Sequence, residues 1–225
     1  MMEALLKWAA GAALMVLLAP VWPAGTTATP SAAPPGRTPV ILVFGDSLSA
    51  EYGLPRGAGW ATLLEQRLQE KRFNYSVVNA SISGETSSGG AVRIDAAIGQ
   101  HRPAIVIVEL GGNDGLRGLA LDATRANLTR IIEASSKAGA KVVLAGMQLP
   151  PNYGRTYTEG FRTLYGELAK RHKTTLLPFF LEGIADNREL FQSDGIHPTQ
   201  RAQPLLLDNT WKVLVPLLST ANPRR

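Results

Sequence analysis

Ser47 stands in the tripeptide Gly45-Asp46-Ser47, directly after the apolar run VILVF at 40–44. A serine hydroxyl at the end of a buried strand is placed to attack a substrate, but it is a weak nucleophile until a base takes its proton. The chain has three histidines, His101, His172 and His197. His101 and His172 each precede a strand-like run, so both belong at the opposite edge of a parallel sheet. His197, in SDGIHPT, follows the last such run and can reach Ser47. Asp194 lies three residues before His197. One loop turn folds its carboxylate onto the second ring nitrogen, which fixes the tautomer and stabilises an imidazolium. Gly195 eases that turn and Pro198 stiffens its exit. The set Ser47, Asp194 and His197 is therefore a candidate nucleophile, orienting acid and base.

Acyl transfer also needs donors aimed at a developing oxyanion. Three are available: the Ser47 backbone N–H, the Gly84 backbone N–H with no side chain to block approach, and the Asn113 side-chain amide. Asp46 is read as a brace for the turn that holds Ser47, and Gly45 as the residue that permits that turn. A metal site built from Asp46, Asp114, Asp194 and His197 is the competing reading of the same residues, since carboxylates and imidazole bind divalent ions. With one histidine and no paired carboxylate motif, no metal is assigned. Neither the three-glycine dinucleotide fingerprint nor the G-x-S-x-G elbow occurs in the first loop, which reads GDSLSA.

These residues must be positioned by an alternating set of elements. Five short, β-rich runs lie at 40–44, 75–80, 104–110, 141–147 and 174–179. They are near-continuous apolar stretches, as expected for parallel strands covered on both faces. Helical spacing separates them, in Trp60, Leu63, Leu64 and Leu68, in Leu128, Ile131 and Ile132 before Gly139, and in Phe161, Leu164, Tyr165 and Leu168. Thr156 and Glu159 are spaced as a capping box for the third of these helices. A last helix is expected over about 200–218, with Pro204 early and Pro216 late. The pattern predicts a three-layer α/β/α sandwich on a five-stranded parallel sheet. Ligands bind beyond the carboxyl ends of such strands. The loops GDSLS, NASISGETSSGG and LGGNDGLRG all leave from that edge.

The chain of 225 residues contains no cysteine, which excludes a disulfide framework, a thiolate metal site and a cysteine nucleophile. Its net charge of +5 comes from scattered basic residues interleaved with acids, so no nucleic-acid partner is expected. Residues 1–28 read as a secretory signal peptide: Lys7, then an apolar run too short to suit a membrane span, then small residues with cleavage after Ala24 or Ala28. A retained membrane anchor is the competing reading of that run. The Pro/Ala/Thr-rich stretch 29–38 reads as a tether, and 39–225 as the folded domain. No stable membrane span is expected after cleavage, and the protein is placed in the periplasm or outside the cell.

The blocks FGDSLS, NASISGETSSGG, ELGGNDGLRG and SDGIHPT resemble, in order, the four conserved blocks of the SGNH (GDSL) hydrolases. The four family letters correspond to Ser47, Gly84, Asn113 and His197. VELGGNDGLRG, LPPNYGRTY, LLPFF and DGIHPTQRAQP are similar in particular to the bacterial periplasmic thioesterase I/lysophospholipase L1/arylesterase group. The resemblance covers roughly 39 to the C-terminus. It implies a flavodoxin-like sheet, cofactor-free ester hydrolysis, a Ser47-Asp194-His197 triad, and an oxyanion hole of Ser47, Gly84 and Asn113. It also implies a mobile loop at 114–119, with Asp114, Gly115, Leu116 and Leu119 beside an acyl groove whose other wall holds Leu149 and Pro150. Leu116, Leu119, Leu149 and Tyr153 are candidate linings, against ordinary packing of Leu116 and Leu119 onto the next helix. Glu51 departs from the family pattern and places a charge near the mouth. The substrates implied are small acyl esters, lysophospholipids and acyl thioesters, acted on by a monomer. A carbohydrate O-acetylesterase and a non-catalytic lipid- or glycan-binding module are the alternatives on the same fold.

Overall fold

The computed structural model describes residues 37–218. The signal-peptide reading (1–28) and nearly all of the tether reading (29–38) lie outside the described residues. Five parallel strands form one sheet in the order β2-β1-β3-β4-β5. They are β1 (Val40–Gly45), β2 (Ser76–Asn79), β3 (Ile105–Glu109), β4 (Lys141–Ala145) and β5 (Thr175–Leu177). β1 and β3 sit centrally and every residue in them is buried, whereas the edge strands β2 and β5 are only partly covered. That gradient explains the sequence pattern, since only strands covered on both faces need unbroken apolar runs.

The helices are α1 (Trp60–Glu70), α2 (Ser87–His101), α3 (Gly112–Leu116), α4 (Leu121–Lys137), α5 (Arg155–His172) and α6 (Gln203–Leu214). α1 packs with α6, while α4 packs with both α2 and α5, so the helices form a layer on each side of the sheet. Trp60, Leu64 and Leu68 bury the inner face of α1, and Leu128, Ile131 and Ile132 that of α4. Among the described residues no helix is long and apolar enough to cross a membrane.

Four local expectations are corrected. The stretch SSGG is not loop but the first turn of α2, capped by Thr86 Oγ1 accepting from Gly89 N–H. Its glycines hid the helix, yet Gly90 is required because a Cβ there would lie 2.5 Å from Leu110 Cδ1. The stretch GNDGL is likewise the short helix α3, turned off β3 by Gly111 at φ +108. No capping box starts α5: Gly154 is its N-cap, Thr156 lies inside the helix, and Glu159 pairs with Arg162. Glycine is an accepted N-cap residue, and this helix begins without a side-chain cap. The final helix is α6 flanked by single 3-10 turns at Gln200–Ala202 and Val215–Leu217, not one continuous helix.

Candidate active site

β1 delivers Ser47 to the carboxyl edge of the sheet. Ser47 Oγ lies 2.9 Å from His197 Nε2, and His197 Nδ1 lies 2.7 Å from Asp194 Oδ2. The other Asp194 oxygen accepts the backbone N–H groups of Ile196 at 2.9 Å and His197 at 3.1 Å. Partial burial pushes the Asp194 carboxyl upward. The two backbone donors and the imidazole outweigh it and hold the group at about 2. An ionised carboxylate on Nδ1 leaves Nε2 as the nitrogen free to take the Ser47 proton. His101 and His172 end α2 and α5, each just ahead of a strand and away from Ser47.

The His197 loop is closed by an antiparallel bridge between Phe191 and Pro198. Gly195 adopts φ +75 at its tip. Arg188 fastens its near side, donating to the carbonyls of Gln192 at 2.7 Å and Ser193 at 2.8 Å. Gln192 then ties this loop to the first one, through Nε2 donating to the Tyr52 carbonyl at 2.9 Å. The Tyr52 ring lies 4.3 Å from the His197 ring and covers part of one face, while remaining 50% exposed. Nothing in the sequence marks Tyr52, which follows Glu51 at φ 58 in a turn of the first loop.

Glu51 does not present its charge to the mouth of the site. Its carboxylate accepts from Gly57 N–H and Gly59 N–H, both at 2.9 Å, and from Thr62 Oγ1 at 3.1 Å. Slight burial works against ionisation, but these donors keep the group below the usual range. It braces the entry to α1.

A buried acid pair lies beneath Ser47. Asp46 is 1% exposed and acts as the brace expected of it: Oδ1 accepts Leu48 N–H and Oδ2 accepts Asn113 Nδ2, each at 3.0 Å. Glu109, at the end of β3, is fully buried and was not singled out by the sequence, where it closes the run IVIVE. Its Oε2 accepts from Ser49 Oγ at 2.7 Å, and Trp60 Nε1 donates to that same hydroxyl at 3.2 Å. Its Oε1 has no hydrogen-bond partner among the described residues. Burial, followed by the adjacent Asp46 charge, pushes Glu109 well above the ordinary carboxyl value. Burial likewise raises Asp46 to about 6, against the opposing Leu48 and Asn113 donors. Gly45 is explained here too. A Cβ would meet Glu109 Oε2 at 2.7 Å and Ser49 Oγ at 2.9 Å, so close approach demands the glycine and no tight turn is involved.

The oxyanion candidates converge through hydrogen bonds between their loops. Asn113 Nδ2 is bonded to both Asp46 Oδ2 and the Glu85 carbonyl, each at 3.0 Å, which joins the first, second and third loops. Gly84 adopts φ +79, and a Cβ there would meet nothing within 4 Å. Conformation, with open space above it, sets that glycine. The backbone N–H groups of Ser47 and Gly84 have no acceptor among the described residues. Glu85, the next residue, is clamped in a bidentate pair by Arg93, whose guanidinium carbon lies 3.8 Å from the centre of the Phe44 ring.

The groove residues divide. Asp114 is 2% exposed and accepts from Ser87 N–H at 2.8 Å and from Thr124 Oγ1 at 3.3 Å. It joins α2, α3 and α4 inside the fold and is not a groove wall. Gly115 is buried, and a Cβ there would sit 2.7 Å from Leu149 Cδ2. Leu116 is half-buried, and Leu119 and Pro150 are exposed. Tyr153 OH donates to the Leu116 carbonyl at 3.2 Å and Tyr157 OH to the Leu119 carbonyl at 2.6 Å. The segments carrying Leu116 and Leu149 are thus in contact, and 114–119 is a short helix and turn held at both ends.

A parallel α/β sandwich with a serine, an imidazole and a carboxylate in hydrogen-bonded series at its carboxyl edge defines a hydrolase of the acyl-transfer type. Comparison with known proteins gives the family. Residues 43–203 match the GDSL-like Lipase/Acylhydrolase family, and the chain belongs to it. It is an ester-hydrolysing enzyme. The chain is 51% identical to Esterase TesA of Pseudomonas aeruginosa over 79% of this chain and 89% of that protein. It is 46% identical to thioesterase 1/protease 1/lysophospholipase L1 of Escherichia coli, over 80% and 85%. Among solved structures, that of TesA superposes with a TM-score of 0.78 at 51% identity, covering 80% of this chain and 99% of that one. The psychrotrophic esterase EstA of Pseudoalteromonas, solved with monoethylphosphonate as inhibitor, gives 0.76 at 38% identity, covering 79% and 97%.

Proposed function

We propose that the chain cleaves carboxylic esters and thioesters of small acyl substrates, lysophospholipids among them, through an acyl-serine intermediate. His197 Nε2 takes the Ser47 proton, and Oγ bonds to the substrate carbonyl carbon. Asp194 stabilises the imidazolium. As the tetrahedral intermediate collapses, the leaving alcohol or thiol departs with the proton from His197. Water then attacks the acyl-enzyme, gives its proton to His197, and releases the acid as Ser47 recovers its hydrogen.

The observation that carries this reading is the series Ser47 Oγ, His197 and Asp194 at 2.9 and 2.7 Å. The open N–H groups of Ser47 and Gly84 support the oxyanion assignment. Asn113 joins them by exchanging one of its two present acceptors, the Glu85 carbonyl or Asp46, for the oxyanion. Each donor in such a hole is worth about 2.7–4 kcal/mol of transition-state stabilisation. The apolar segment at 1–28 supports export to the periplasm or beyond, and the reading needs one chain per site.

The test is kcat/KM on p-nitrophenyl esters from acetate to palmitate, with Ser47→Ala alongside. Turnover should extend to medium or long chains and fall by about 10⁴-fold or more in the mutant. Activity confined to acetate would point to the O-acetylesterase, and turnover that survives Ser47→Ala would overturn the mechanism.

A further inference from the structure

Arg117 ends α3, four residues after Asn113, and its backbone N–H is bonded to the Asn113 carbonyl at 3.1 Å. Its side chain reaches across to the second loop, where Nη2 donates to the Gly84 carbonyl at 3.1 Å. The guanidinium therefore spans the two loops that hold the oxyanion candidates, and it is exposed. Glu85, the nearest carboxylate in sequence to Gly84, is committed to Arg93. Asp114 is buried against Ser87 and Thr124. Among the described residues Arg117 takes part in no ion pair.

A guanidinium carries five N–H donors in a planar fork. One bond to a carbonyl leaves most of that fork open at the lip of the site. An open fork suits a phosphate or carboxylate bidentately, with a geometry that an ammonium does not match. Direction matters as well. The apolar candidates Leu116 and Leu149 lie toward Tyr153 and α5, where Tyr153 holds the Leu116 carbonyl. The Arg117 side chain runs the other way, toward Gly84 and α2. With an acyl chain on the apolar side, the cation is left to the rest of the substrate.

We propose that Arg117 is a specificity-determining residue that recognises an anionic leaving group, so that the preferred substrates are acyl esters or thioesters carrying a phosphate on the alcohol or thiol side. This rests on the acyl-transfer reading above. The phosphate belongs either to a lipid headgroup, close to the ester, or to a phosphorylated thiol carrier, at the far end of a longer arm; either is chemically suited to a guanidinium fork.

The experiment compares octanoyl esters below their aggregation concentrations: 1-octanoylglycerol as the neutral substrate, with 1-octanoylglycerol 3-phosphate and octanoyl-CoA as the anionic arms. In Arg117→Ala the anionic-to-neutral ratio of kcat/KM should fall about tenfold, chiefly through KM, with Arg117→Lys between the mutant and the parent. Added salt should narrow the ratio in the parent enzyme and leave it flat in Arg117→Ala. A fall in the lipid arm alone assigns the headgroup, a fall in the thioester arm alone assigns the carrier, and both support the fork. An unchanged ratio overturns the proposal. That holds whether all rates drop together, which would make Arg117 a peg for Gly84, or none moves. Ser47→Ala separates the two inferences: its retention of activity on the neutral ester would sink acyl transfer, whereas an unchanged ratio in Arg117→Ala with Ser47-dependent turnover would sink the Arg117 role alone.

Discussion

At the residue scale, Glu109 is the side chain whose chemistry least resembles its surroundings. It is a fully buried carboxyl, one of whose oxygens has no hydrogen-bond partner among the described residues, beneath the turn that carries Ser47, and its neighbour Asp46 is also an acid. A lone buried carboxylate is costly, so the fold favours the neutral acid. Its pKa is raised in the folded chain. Stability from a raised acid is fully present below the unfolded value and is lost as pH rises through the folded one. Glu109→Gln keeps the shape and an acceptor for Ser49, and removes this loss. Thermal unfolding of parent and mutant between pH 5 and pH 9 is expected to show any deficit of the mutant shrinking as pH rises. A deficit that widens with pH would mean that the folded chain holds Glu109 ionised.

At the scale of elements, catalysis depends on loops that the sheet does not itself fix. The His197 loop is fastened by Arg188, which satisfies consecutive carbonyls, and by one backbone bridge. Arg188→Ala leaves Ser47, Asp194 and His197 in place chemically but frees the loop that aligns them. We expect kcat to fall about tenfold, corresponding to about 1.4 kcal/mol, with KM little changed. Steady-state kinetics on a p-nitrophenyl ester and a melting curve decide it. A parallel loss of KM and of folding would assign Arg188 to general stability. The loop of Gly84 has a matching device in the Arg93–Glu85 pair, which is mostly buried and rests on Phe44. The Asp114 hub then pins α2, α3 and α4 to one another behind them.

At the scale of the whole molecule, the packed unit has a definable beginning. The Pro39 carbonyl accepts Ser76 N–H at 3.0 Å, and the Val40 carbonyl accepts Ala104 N–H at 2.8 Å, so both neighbours of β1 are engaged from its first residues. A chain that starts at Pro39 is expected to unfold cooperatively and to turn over p-nitrophenyl butyrate like the longer chain, whereas one that starts at Val43 is expected not to fold. Circular dichroism and kcat/KM on the two truncations check this. The sequence by itself determined the layers of this molecule and the members of its candidate triad. Central parallel strands are covered on both faces, so β1, β3 and β4 are written as nearly unbroken apolar runs, with Glu109 closing β3 and Lys141 opening β4. With three histidines and a sheet polarity, only His197 can face Ser47, and a loop turn brings Asp194 to it. These are local or topological facts, carried by periodicity and order. What only the tertiary structure decided is the surroundings of that candidate site: Glu109 under Ser47, Tyr52 over the His197 ring, Arg188 behind the loop and Arg117 at the lip. Glycines also masked the starts of α2 and α3, whose packing against Leu110 and Leu149 leaves no room for larger residues. Each of these rests on close approach between segments far apart in the chain. Neither spacing nor propensity encodes that, because it arises when helices and loops from separate crossovers are pressed onto one edge of the sheet.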